Sequence, residues 1–161
     1  VDELKFEEFQ AGIGTNIAIY GRQIIGVFPT ENDPPDTPSF YYTIGHREKG
    51  IPDLLMIVPN IPPESAHRVL TAVAELQSSR YFPNPGQPFE EGELVSIGGK
   101  FPVKIVQPDA RARSEYTIQA GQFYGTEEYP VLQVLLCDYS GMFPDEPGCQ
   151  PPWNIPVLRP V

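Results

Sequence analysis

Cysteine is nearly absent from this chain. Cys137 and Cys149 are the only two, with no second pair to complete a zinc site or a disulfide framework. A reducing compartment, the cytoplasm, is the expectation. Basic side chains are also few: 11 Lys and Arg stand against 21 Asp and Glu, a formal charge of −10. Nucleic-acid binding needs clusters of Lys and Arg to neutralise phosphates, and Arg111-Ala-Arg113 is too small a concentration. An anionic membrane surface is disfavoured on the same ground. No apolar run approaches the roughly 20 residues that span a bilayer. The mixed charge of Val1-Asp-Glu-Leu-Lys is unlike a secretory signal, and the missing initiator Met suggests a trimmed or processed start. There is no internal repeat and no low-complexity tract. Gly98-Gly99-Lys100 lacks the spacing of a phosphate-binding loop, and His46 and His67 lack the helical spacing of a metalloprotease pair, so neither metal nor cofactor is expected.

Proline is abundant. Twenty prolines in 161 residues is more than twice the usual share of roughly 5%. They are scattered, which excludes collagen and predicts short elements joined by stiff loops. With 40% hydrophobic residues, the length suits one globular domain that buries a core unaided.

Along the chain, residues 1–14 read as a short helix or a lead-in. The β-branched and aromatic run 16–28 reads as one bent strand or a tight hairpin. Residues 30–38 are an exposed proline loop. Strands are predicted over 40–44, with Phe40, Tyr42 and Ile44 on one face, and over 53–58, where a continuous apolar run implies cover on both faces. The seven-residue link between them favours antiparallel pairing. A helix over 62–80 aligns Ala66, Val69, Leu70, Val73 and Leu76 on one stripe. After a proline-glycine loop over 82–92, strands 93–97 and 101–106 flank a Gly98-Gly99 turn. A short helix over 114–123 with Ser114 as its cap, a strand over 131–137 and an extended proline-rich tail over 144–161 complete the chain. The expected fold is α+β: a mainly antiparallel sheet with one long helix on a face.

Three segments carry a family signature: Tyr42-Thr-Ile-Gly-His, then Gly50-Ile-Pro-Asp-Leu, then Val131-Leu-Gln-Val-Leu-Leu-Cys-Asp-Tyr-Ser-Gly-Met-Phe-Pro. In order and spacing they resemble the mostly bacterial family grouped as domain of unknown function 4262, over roughly residues 17–160. The resemblance implies a shared fold and surface, and no particular reaction. His46 stands where the family pattern has Leu, Ile51 where it often has His, and Asp53 where it has Glu. If the family's His-Pro-Glu turn were catalytic, the loss at 51 would leave His46 as the replacement.

The candidate chemistry gathers at strand ends. His46 with Asp53 or Asp138 would supply an imidazole beside a carboxylate for general-base work, as in a small hydrolase. The bland alternative for His46, Arg47, Glu48 and Asp53 is a solvated turn. Asp138 either caps the turn before Gly141 through backbone N–H groups or points into a cleft. Tyr42, Thr43, Arg47, Glu48 and Trp153 are candidate ligand contacts; Trp153 alternatively anchors the tail in a groove. Cys137 reads as a buried small hydrophobe. No arrangement has diagnostic catalytic spacing. The leading expectation is therefore a non-catalytic binding module for a small molecule or a protein partner, ahead of a hydrolase or a self-assembling protein that forms homo-oligomers. The site itself is expected in one hollow shared by the ends of the strands bearing Tyr42 and Gln133.

Overall fold

The computed structural model describes residues 2–81 and 87–160. Its centre is Asp53–Val58 (β3), in which every residue is buried. A strand covered on both faces needs an unbroken apolar run, and Leu54-Leu-Met-Ile-Val58 supplies one. Ser39–Ile44 (β2) pairs with it antiparallel, and Gln23–Val27 (β1) adds an antiparallel edge beyond. On the other side lies Val131–Leu135 (β6), parallel to β3 with Asp53 opposite Val131. Val103–Val106 (β5) and the two-residue Leu94–Val95 (β4) close that edge, both antiparallel. The sheet order is β1-β2-β3-β6-β5-β4. This is the expected α+β class, with one parallel pair in an otherwise antiparallel sheet.

Helices cover both faces. Pro63–Tyr81 (α2) lays Ala66, Leu70, Val73 and Ala74 on Tyr41, Leu54, Met56 and Val134. The predicted stripe shifts at its C-terminal end: Leu76 is 36% exposed, and Ala74 and Gln77 take the buried positions. The opposite face is covered by three things: Asp2–Tyr20 (α1), the short Ile118–Tyr124 (α3), and the tail, through Ile155 and Leu158. Tyr42 and Ile44 belong to that face and Tyr41 to the other, the alternation expected of β2.

Three local expectations are corrected. Residues 16–20 are not strand but the last turn of α1, a second helix of 19 residues. The β-branched residues favour strand locally, but Ile13 and Ile17 fall four apart, Ile13 is buried, and Ile17 packs over Gly45. The helix stops where Gly21 turns left-handed (φ 88°) and its N–H donates to Ile17 O at 2.8 Å. Ser114 is no helix cap: it lies inside a π-helical turn, Ala112–Tyr116, and α3 begins only after Thr117. The strands 93–97 and 101–106 shorten to β4 and β5. Of the loop expected over 82–92, residues 82–86 lie outside the described residues.

Candidate functional site

The antiparallel β2 ends where β3 begins, so Thr43, His46 and Asp53 meet at one end of the sheet. All three are buried. The Thr43 hydroxyl donates to Asp53 Oδ1 (2.8 Å) and accepts the Leu54 N–H (3.0 Å). The His46 N–H also points at Oδ1 (3.3 Å). The Tyr124 hydroxyl, brought from α3, donates to Oδ2 (2.7 Å) and accepts the Gly45 N–H (2.6 Å). Despite these donors, burial wins and raises the Asp53 carboxyl from 3.8 to about 7.

The His46 ring is fully engaged. Pro52 O can only accept, so the ring nitrogen 2.8 Å from it, Nδ1, carries the proton. Nε2 is then the lone-pair side, and it accepts the Arg22 Nε–H at 3.1 Å. Burial, chiefly, lowers the imidazole to about 4. Nδ1 stands 4.0 Å from Asp53 Oδ1, beyond hydrogen-bond reach. No ring nitrogen is left to take a proton from a substrate. The buried Gln77 lies beside this ring with both amide atoms unpaired.

Outside this cluster, Arg22 reaches from His46 to Glu75 on α2 (Nη1 to Oε1, 2.8 Å). It lines a cleft of about 430 Å³ between α1, β1 and α2, in which His67 and Thr71 form part of the wall. Arg47 is exposed, with its guanidinium 5.6 Å from the centre of the Tyr124 ring. Glu48 is exposed beside it. Tyr42 and Thr43 lie in the interior, out of reach of a ligand.

Asp138 is elsewhere, and the single shared hollow does not exist. Because β6 runs parallel to β3, Asp138 follows the far end of the strand whose near end faces Asp53. Roughly 13 Å of strand, at about 3.3 Å per residue, intervenes before it. There the carboxylate binds backbone: Oδ1 accepts Ser140 N–H (2.8 Å) and Met142 N–H (2.9 Å), and Oδ2 accepts Gln150 N–H (2.9 Å). Those bonds hold its pKa below the usual carboxylate range. Its capping alternative describes this geometry, extended to a contact twelve residues away. Gln133, a member of the family signature to which the sequence assigned no role, does the same for the tail. Its amide donates to Pro156 O and accepts Leu158 N–H, both at 2.8 Å.

Between these two clamps the tail carries Trp153 across a groove of about 870 Å³. Trp153 meets Tyr139 edge-to-face, ring centres 5.6 Å apart, and Tyr139 is 84% exposed. Pro35, Pro38, Pro59 and Pro62 wall the opposite side. Both cysteines are free and half-buried, and burial pushes their thiols up, away from the thiolate form. Among the described residues, no group of three His, Cys, Asp or Glu side chains is placed to hold a metal. None of the described helices is long and apolar enough to cross a membrane.

The match to the family described as Domain of unknown function (DUF4262) runs over residues 16–150. The chain belongs to this family. The DUF4262 match covers β1 through the Asp138 clamp. It includes the buried Thr43–Asp53 cluster and stops short of Trp153. No curated protein and no solved structure matches the chain.

Proposed function

We propose that this DUF4262 domain is a non-catalytic binding module, and that the groove of Tyr139 and Trp153 takes an extended, proline-containing segment of a basic protein. One observation carries the reading: an exposed Tyr139 meets a half-buried Trp153, itself held between two backbone clamps, in a groove lined by prolines. Aromatic rings set along such a groove suit the polyproline helix, whose preformed shape costs little entropy on docking. The clamps fix Trp153 before any partner arrives, which lowers the ordering cost of binding. Charge selects a cationic partner. No Lys or Arg lines the groove, Asp36 does, and the chain carries ten excess negative charges. The hydrolase reading has the weaker support, because both His46 nitrogens are engaged and the carboxylate beside it is closed off.

Trp153 is the chain's one tryptophan, so its fluorescence reports on the groove. A synthetic polyproline peptide flanked by arginines should shift that emission saturably, and a peptide flanked by glutamates should bind more weakly. Tyr139→Ala should weaken binding about tenfold, as loss of an aromatic anchor does. Unchanged emission, or an affinity indifferent to Tyr139, refutes the groove. A saturable response to small aromatic or sugar probes with none to the peptide would transfer the site to a small molecule.

A further inference from the structure

The cleft at the other end of the sheet is lined by Arg22 in an otherwise acidic chain, and Lys49 lies just behind that lining, at Gly21. Arg22 lies on its floor, its side chain 9% exposed, with Asn16 and Gln23 beside it and His67 and Thr71 across from it. Nε is committed to His46 and Nη1 to Glu75, while Nη2 donates to nothing among the described residues. Lys49 comes in over Gly21, the residue between the lining Tyr20 and Arg22. Its Nζ lies 2.7 Å from where a Cβ on Gly21 would sit. Lys49 is half-buried and, among the described residues, its side chain makes no salt bridge or hydrogen bond. Burial and the neighbouring Arg22 both push its ammonium down from the ordinary lysine value.

We infer that this cleft binds a small oxyanion, the carboxylate or phosphate group of a metabolite, between the Arg22 guanidinium and the Lys49 ammonium. Two like charges in a half-buried cleft repel, and an anion between them removes that penalty while gaining charge-assisted hydrogen bonds. Glu75 partly neutralises Arg22 now, but it is 65% exposed and free to yield Nη1 to a ligand. The buried cluster then acquires a role. Pro52 O fixes the His46 ring, and Nε2 of that ring fixes the plane of the Arg22 guanidinium, leaving its Nη1 and Nη2 edge for a two-oxygen contact. His46 is thus a positioning residue for Arg22. The volume of about 430 Å³ suits a small metabolite, and the amide and hydroxyl walls suit its polar groups.

The test titrates the intact chain, separately, with inorganic phosphate and with malonate, following backbone amide shifts by NMR and heats by calorimetry. Saturable, salt-sensitive binding with shifts centred on Gly21, Arg22 and Lys49 is expected. Lys49→Gln should weaken it about tenfold, the loss of one charge-assisted contact, and Lys49→Arg should retain most of it. Arg22→Gln strips the buried His46 of its partner and is liable to unfold the chain, so the half-buried Lys49 carries the test. A response to phosphate alone assigns a phosphorylated ligand, and to malonate alone an organic acid. No saturable shift with either below roughly 10 mM, a free energy of under about 3 kcal/mol, overturns the inference. Equal affinity in Lys49→Gln overturns it too.

Discussion

At the β3 N-terminal end of the sheet, polar side chains direct their hydrogen bonds at one another as well as at the backbone. Thr43 and Tyr124 donate to Asp53, the His46 backbone N–H joins them, and the His46 ring carries the cluster outward to Arg22. At the far end, Asp138 and Gln133 direct theirs at the backbone of the tail. The first arrangement buries titratable groups and perturbs them; the second shapes a loop and leaves the Tyr139 ring in water. The more reactive-looking residues, His46 and Asp53, are therefore buried, and of their partners only Arg22 lines a cleft. The exposed Tyr139 and the half-buried Trp153 sit at the end whose polar residues are structural.

The sharpest way to break this comparison is to open the Asp53 cluster. Asp53→Ala leaves the Thr43 and Tyr124 hydroxyls without their acceptor in the interior and should cost about 2–4 kcal/mol in urea unfolding. A loss below about 0.5 kcal/mol would mean that the cluster is not a structural unit. Next comes Gly45→Ala. Gly45 has φ 119°, and an added Cβ would lie 2.8 Å from Ile17 Cγ1, so the change should loosen α1 at a cost of about 1–3 kcal/mol. Hydrogen exchange should show α1 opening first, and uniform protection loss would contradict the assignment.

Titration gives a smaller and more diagnostic effect. Asp53 is raised from 3.8 to about 7, so across that window the folded chain keeps a proton the unfolded chain has released. Its contribution to stability falls as pH rises and levels off above about 7. His46 is lowered from 6.5 to about 4. There the unfolded chain holds the extra proton, and stability rises with pH until about 6.5. Each slope is at most about 1.4 kcal/mol per pH unit, and the two oppose each other in their shared range. Wild-type stability should thus be nearly flat there. It should rise with pH in Asp53→Asn and fall in His46→Gln. Parallel profiles for all three would show that neither group titrates as its surroundings dictate. Smallest of all is Tyr139→Ala, which should leave stability within about 0.5 kcal/mol because the ring is 84% exposed. A marked loss there would make the aromatic pair a structural element and not a docking surface.

Strong periodicity was legible. The β3 run, the β2 alternation and most of the α2 stripe all take the places their patterns predict, because burial on one or both faces imposes those patterns. Residues 16–20 were not legible, since their strand propensity yields to the packing of Ile13 and Ile17. Arg22 and Lys49 gave no motif to notice and Gln133 stood in a motif without a stated role; each matters through a partner more than twenty residues away. Gly21 did carry a usable signal: a glycine after a run with apolar residues four apart is a helix stop.

From the amino-acid order alone follow the class of fold, the acidic field and the central strand, because each depends on composition or on near-neighbour repeats, while the family follows from the resemblance of three ordered motifs. Which strand ends meet was settled only in three dimensions. The parallel pairing of β3 with β6 sends Asp138 away from Asp53, while the antiparallel turn from β2 brings His46 and Thr43 to it. Strand direction is a property of the assembled sheet, and no single segment encodes it.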